Sequence, residues 1–266
     1  MNNYYSPGEI TKEFALSGIS KSSLPTAKFV VIAMLGGAFI ALGGLLSVTV
    51  AGGMPGVGAD NPGIIKFIAG ALFPVGLMMV SITGADLFTS DCTAFTLPLL
   101  EKKLRLTSFM RLLFLSYVFN FVGTQIIAYL LSSHLGYFSK EPWQIYLFNY
   151  TASKVYQDWM AVFIKGIGAN WLVCLGMFMG YASKDIIGKC VGIWIPVMIF
   201  VTLGYEHSIA NMFFVPAAIY SGADITWGDF ILKNLIPATL GNFVGGAIFV
   251  GCVYWYLYLY KKESSS

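Results

Sequence analysis

The sequence predicts an all-α polytopic membrane protein: six transmembrane helices in two inverted three-helix repeats, with the second and fifth helices broken. Three observations carry this expectation. Hydrophobic residues make up 57% of the 266 residues and charged ones only 11%, with a mean hydropathy of +0.72; soluble domains carry about 25% charge. Six apolar stretches are each long enough for the roughly 20 residues that span a bilayer. The sequence Asn120-Phe-Val-Gly123 recurs as Asn242-Phe-Val-Gly245, 122 residues further on. Three crossings per half is an odd number, so two like halves must lie in opposite senses in the membrane.

Residues 1–27 form a polar lead. Ser6-Pro7-Gly8-Glu9 has the shape of a capping box with Pro at the first helical position, which predicts a helix over about 7–20. Ile10, Phe14, Ala15 and Ile19 give it an apolar stripe, with Lys12 and Glu13 away from it. It reads as a cytoplasmic amphipathic helix lying on the membrane face; a plug or gate at a pore mouth is the sharper alternative. No early basic-then-apolar signal pattern is present, so the first membrane segment is expected to be retained.

The transmembrane channel domain is expected over 28–260, with repeat one at about 28–133, repeat two at about 160–260, and a cytoplasmic tail at 261–266. Apolar stretches lie near 28–52, 67–98, 107–133, 160–181, 189–221 and 232–260. The second and fifth are overlong, and each carries a polar patch: Ser81 to Asp91 in one, Phe200 to Pro216 in the other. Aligning Gly84 with Gly204 pairs Asp86 with Glu206. Helices that stop at these glycines and restart explain both length and polarity. Such backbone is tolerated at membrane depth only when protein or a wet cavity surrounds it. Arg111 and Lys233 share the 122-residue offset, and Gly168-Ala169 echoes Gly37-Ala38.

Basic residues set the orientation. Lys12, Lys21 and Lys28 precede the first segment. Lys102, Lys103 and Arg105 follow the second, Lys184 and Lys189 follow the fourth, and Lys261 and Lys262 end the chain. The opposite connections hold Asp60, Glu141, Asp158, Asp224 and Asp229 with fewer bases. Both termini are therefore expected in the cytoplasm, with the chain in the cell (inner or plasma) membrane and lipid around it. Trp255 and Tyr258 to Tyr260 suit an interfacial belt.

A net charge of +3 is too small to suggest nucleic acid. Cys92, Cys174, Cys190 and Cys252 show neither CxxC nor metal-ligand spacing and read as small hydrophobes, with no metal or cofactor expected. His207 stands at the second break, where it can donate a hydrogen bond or a proton to an anion held nearby. Thr89, in the first break, is its candidate hydroxyl partner. Asp86 and Glu206 would repel an anion if they lined its path, so they are expected to accept backbone N–H groups freed by the breaks. Lys154, before the fourth segment, is placed to raise the anion concentration at an outer mouth. Phe73 and Phe200 precede the two breaks in corresponding places, and Leu77 and Leu87 flank the first; apolar side chains there can form constrictions or simply pack. Asn170 can line a path or bond helix to helix.

Gly84-Ala-Asp-Leu-Phe-Thr-Ser90, Asn170-Trp-Leu-Val-Cys174 and Gly204-Tyr-Glu-His-Ser-Ile-Ala-Asn-Met212 closely resemble signatures of the formate/nitrite transporter family. The resemblance covers nearly the whole chain and implies a homopentamer of aquaporin-like protomers, each with its own pore. It matches Phe73, Leu77 and Phe200 to constriction residues on one side, and Leu87 and Val173 to residues closing a central chamber. Thr89 and His207 match the central pair, Lys154 and Asn170 the polar residues of the outer path, and segment 80–90 a loop associated with gating alongside the N-terminal segment. Tyr205 stands where many members have Phe, and Pro74 follows the first constriction ring.

That family conducts small anions, and two aromatic rings resemble its formate branch, which ranks formate ahead of nitrite and hydrosulfide. An anion that crosses an apolar ring bare loses several kcal/mol of hydration. The expected mechanism therefore has it protonated by His207 or by water, or hydrogen-bonded to His207 and Thr89 as it passes; channel and proton symporter both remain open. A water or glycerol pore would show two Asn-Pro-Ala motifs, and only Asn61-Pro62-Gly63 is present. A haem-binding subunit would need facing histidine pairs, and only His134 and His207 exist. No enzyme chemistry is expected.

Overall fold

This computed structural model describes residues 4–260. The tail 261–266, including Lys261 and Lys262, lies outside the described residues. The first helix, α1, runs Pro7–Ser22. The Ser6 N–H donates to Glu9 Oε2 at 2.8 Å and its hydroxyl donates to the same oxygen at 2.6 Å, so the predicted capping box forms. The α1 apolar face packs on the rest of the protein, with Ile10, Phe14, Ala15 and Gly18 buried. Phe14 meets Tyr181 at a ring distance of 5.1 Å, and Gly18 sits so close to the Ala94 carbonyl that a Cβ would collide with it.

Long apolar helices follow because hydrocarbon offers no partner for an unpaired backbone amide. In order they are α2 (Thr26–Gly52) and α3 (Pro62–Thr83), then, after a break, the short α4 (Phe88–Ala94) and α5 (Thr96–Leu100). Next come α6 (Leu106–Ser133), α7 (Trp143–Val155), α8 (Trp159–Ala182) and α9 (Ile186–Thr202). A second break leads to α10 (Ser208–Tyr220), and α11 (Trp227–Tyr258) ends the described chain. Five of these, α2, α3, α6, α8 and α11, are long and apolar enough to cross a membrane, whereas α9 and α10 are two shorter apolar helices. The predicted fifth segment is thus divided. The amphipathic α7 occupies a connection to which the sequence assigned no element; Leu147, Thr151 and Val155, one turn apart, form its buried stripe.

Both breaks fall at the predicted glycines. Gly84 has φ +77° and Gly204 φ +71°, left-handed conformations that cost an L-residue about 1–2 kcal/mol. Beyond each glycine the backbone must satisfy groups that a continuous helix would pair internally. One asparagine does this at each break. Asn120 accepts the Phe88 N–H at 2.9 Å and donates to the carbonyls of Ala33 (2.7 Å) and Asp86 (3.0 Å). Asn242 accepts the Ser208 N–H at 2.8 Å and donates to the carbonyls of Gly166 and Glu206, both at 2.8 Å. The twice-occurring Asn-Phe-Val-Gly sequence therefore has a physical cause.

The first helix of each half corresponds differently from the sequence echo. The Asp86 N–H donates to Ile32 O, and the Glu206 N–H to Lys165 O. Ile32 thus stands opposite Lys165 and Ala33 opposite Gly166, which shifts the Gly37-Ala38 and Gly168-Ala169 echo by two residues.

Large apolar side chains such as Met110, Phe114, Ile164 and Leu257 point outward. Exposed apolar surface on that scale suits lipid or another chain rather than water.

Candidate functional site

Both breaks bring their side chains to one place. His207 closes the extended stretch before α10, and its Nδ1 accepts the Ala210 N–H at 3.0 Å, capping that helix. A ring nitrogen that accepts a hydrogen bond carries no hydrogen, so the neutral ring has its hydrogen on Nε2. Nε2 lies 3.0 Å from Thr89 Oγ1, and the imidazole is the donor in that contact. The Thr89 hydroxyl hydrogen then has no acceptor among the described residues. Phe200 lies nearly parallel to the His207 ring but offset, with centroids 5.7 Å apart and planes 16° apart, and meets Phe73 edge-on at 6.0 Å. Phe73, Phe200 and His207 line one small cavity with Tyr150, Lys154 and Tyr205.

Glu206 and Lys154 are arranged differently from the sequence reading. Glu206 accepts no freed backbone N–H. Its Oε2 faces Lys154 Nζ at 3.2 Å, Asn211 Nδ2 at 2.7 Å and Asn234 Nδ2 at 3.2 Å, and its Oε1 accepts from Gln157 Nε2 at 2.8 Å. The expected backbone role belongs instead to the asparagine amides, which can donate and accept at once; a carboxylate can only accept. Lys154 is 5% exposed, with its ammonium 5.0 Å from the Tyr150 ring centre, so it is no free surface charge. A buried ion pair is tolerated when its remaining hydrogen-bonding capacity is met, as it is for this carboxylate. The pair cancels its own charge toward anything passing.

Asp86 likewise accepts side chains rather than backbone: Ser116 Oγ donates to Oδ2 at 2.6 Å, and Lys21 Nζ of α1 meets Oδ1 at 2.7 Å. Lys21 also reaches Asp91 Oδ1 at 2.9 Å. Burial lowers the pKa of the Lys21 ammonium, but the Asp86 and Asp91 carboxylates more than offset this, and the net direction is upward.

Asn170 lines neither of the two cavities. It is fully buried and spends its amide on the carbonyls of Thr89 (3.0 Å) and Asn242 (2.6 Å), tying the two halves together. Leu77, Leu87 and Val173 are buried in the core cluster. Cys92 and Cys174 are buried free thiols, and Cys174 donates to the Thr89 carbonyl at 3.4 Å. Among the described residues no group of His, Cys, Asp and Glu side chains is placed to hold a metal ion.

A large cavity of about 840 Å³ lies beside the small one, lined by Tyr146, Tyr150, Lys154, Gln157, Lys165 and Glu206 among others. Tyr150, Lys154 and Val201 line both spaces, so the two adjoin. Sequence reasoning missed Gln157, Lys165, Asn211 and Asn234. The signal for Lys165 was available, since a lysine inside an apolar run marks a polar surrounding.

A model of the formate/nitrite transporter family matches residues 8–256, and the chain belongs to that family. It is 43% identical to a probable formate transporter of Methanothermobacter thermautotrophicus over 97% of this chain and 98% of the relative. It is 35% identical to the formate channel BtFdhC of Bacillus thuringiensis, over 99% and 98% of the two chains. Among solved structures, it resembles an FNT family ion channel with a TM-score of 0.86 at 27% identity, covering 94% of this chain and 98% of that one. A pentameric formate channel with formate bound superposes with a TM-score of 0.75 at 29% identity, covering 88% and 98%. These relatives are transporters and channels, not enzymes, and this chain is an integral membrane protein.

Proposed function

We propose that the chain conducts small monovalent anions of weak acids, formate first, from the large cavity past Phe73 and Phe200 to the His207–Thr89 pair. One observation carries the reading: the imidazole donates to Thr89, which leaves a buried hydroxyl hydrogen ready for an anionic oxygen behind an aromatic constriction. Carboxylates do not oppose this, because Glu206 is neutralised by Lys154. Two of its relatives are a formate channel and a pentameric formate channel with formate bound, which supports ranking formate ahead of nitrite and hydrosulfide.

In this reading α9 and α10 together make one crossing. That gives six crossings in two inverted repeats, each with one broken helix, and the recurrent asparagine contacts support it. Leu77 narrows the passage on the Phe73 side, and Leu87 and Val173 close the chamber beyond Thr89. Both termini face the cytoplasm of a cell membrane. Five copies assemble in lipid, as in the pentameric neighbour. A proton that travels with the anion comes from water in the cavity. Protonated at both nitrogens, His207 would turn Nδ1–H against the Ala210 N–H, and a neutral imidazole is too weak an acid to give up its remaining proton.

Formate uptake into liposomes holding the purified protein tests this. Uptake should rise as pH falls, and His207→Asn should slow it at least about tenfold, the effect of one lost hydrogen bond of about 1.4 kcal/mol, while keeping the pH slope. An unchanged rate would remove His207 from the path, and a lost slope would make His207 itself the proton relay. Passage of nitrite or hydrosulfide without formate would change the substrate, and passage of neutral solutes alone would recast the protein as an aquaporin-like pore.

A further inference from the structure

Five charged side chains line the large cavity: Lys66, Glu141, Lys154, Lys165 and Glu206. Lys66 and Glu141 are exposed, of opposite sign, and surrounded by water that screens them. Lys154 and Glu206 are a buried pair with no net charge. Lys165, half-buried on α8, is different. Its Nζ is held at 2.7 Å by the neutral amide oxygen of Gln157, and it faces no carboxylate among the described ion pairs.

Gln157 is held in one orientation by its partners. Its Nε2 must donate, because it meets Glu206 Oε1 at 2.8 Å, and its Oε1 must accept, because it meets the ammonium of Lys165. The amide thus separates Lys165 from Glu206 and leaves two of the three ammonium hydrogens unspent. An acid at 157 would neutralise the lysine. The glutamine keeps its charge available in a cleft whose protein walls focus the field.

We propose that Lys165, rather than Lys154, draws the anion into the large cavity and docks it ahead of the Phe73–Phe200 pair, with Gln157 holding its ammonium in position. This inference rests on the reading of the protein as an anion conductor. Lys165 acts on entry and does not touch the His207–Thr89 station, so its removal should weaken capture more than maximal rate.

The experiment measures initial formate uptake into proteoliposomes, from far below to above half-saturation, at about 10 mM and 150 mM salt, where the screening length falls from about 30 to 8 Å. Wild type, Lys165→Gln, Lys165→Met and Lys165→Arg are compared after the oligomer of each is checked by gel filtration. Wild-type uptake at low substrate should fall with salt. Lys165→Gln and Lys165→Met should raise the half-saturating concentration about three- to tenfold, leave maximal uptake within about twofold, and flatten the salt dependence. Lys165→Arg should behave as wild type. An intact Lys165→Gln or Lys165→Met protein with the wild-type half-saturation and salt dependence would overturn the proposal, as would equal loss in the arginine variant. Absence of formate uptake in the wild type would instead count against the anion reading itself.

Discussion

Phe200 touches two things that matter, the edge of Phe73 and the face of His207. Truncation should therefore act twice. Phe200→Ala is expected to widen the constriction, so that larger monocarboxylates enter liposomes at several times the wild-type rate, while the unsupported imidazole lowers discrimination between formate and its neutral analogues. Flux assays with an acid size series measure this; an unchanged cut-off would mean the rings only pack. The asparagines give a paired test. Asn120→Ala and Asn242→Ala each strand one N–H and one carbonyl at the break, and remove a second bond from a helical carbonyl. At about 1–3 kcal/mol for each stranded group, partly met by relaxation, a loss of about 2–4 kcal/mol is expected for either. Thermal unfolding in detergent should show similar drops for both, and a large drop for one alone would refute their equivalence. Much of this residue scale was legible. His207, Thr89, Gly84 and Gly204 stand out because polar or flexible residues are rare in apolar runs. The Glu206–Lys154 pairing was not legible, because it joins residues 52 apart that only the fold brings together. Nor was the spending of the Asn170 amide on two backbone carbonyls.

At the scale of elements, α1 is tied to the first break through Lys21, which meets Asp86 and Asp91 together. A lysine whose folded pKa is raised contributes stability that is complete below its unfolded pKa, about 10.4, and lost only as pH climbs through the higher folded value. The Lys21 ammonium thus stays charged throughout pH 6 to 9. Hydrogen exchange of residues 7–22 should show intrinsic-rate-corrected protection that does not fall between these values. Lys21→Gln should lose at least about tenfold in protection, because two buried carboxylates then lack their cation. A wild-type helix that loosens by pH 9 would show that the ammonium is not its anchor. The capping box made α1 readable in advance. Helix α7 escaped because its stripe of Leu147, Thr151 and Val155 is short and flanked by polar residues, a pattern that loops share.

Considered whole, the molecule repeats its backbone devices but not its chemistry. The asparagine clamps and positive-φ glycines occur in both halves, whereas hydroxyl and imidazole are divided, Thr89 from one and His207 from the other. The large cavity takes Lys154, Lys165 and Glu206 from the second half's break and its approach. Composition fixes the membrane class, and the recurrent Asn-Phe-Val-Gly sequence points to the duplication. The two-residue shift between the first helices of the halves is invisible without contacts, because Gly-Ala pairs recur freely in packed helices. Tyr117 and Thr239, themselves 122 residues apart, join their hydroxyls at 2.8 Å, a bond between the two halves of the chain.

The helix cap formed by His207 has a kinetic meaning. Its ring is held at Nδ1 by the Ala210 N–H and lies nearly parallel to Phe200, so its orientation is set by the fold. At that station the mobile part is the Thr89 hydroxyl, whose hydrogen swings about one C–O bond on a picosecond-to-nanosecond timescale. In the proposed path, a turnstile consisting of one rotating hydrogen requires no helix movement per passage, and its frame of His207 and Ala210 is oriented before any guest arrives.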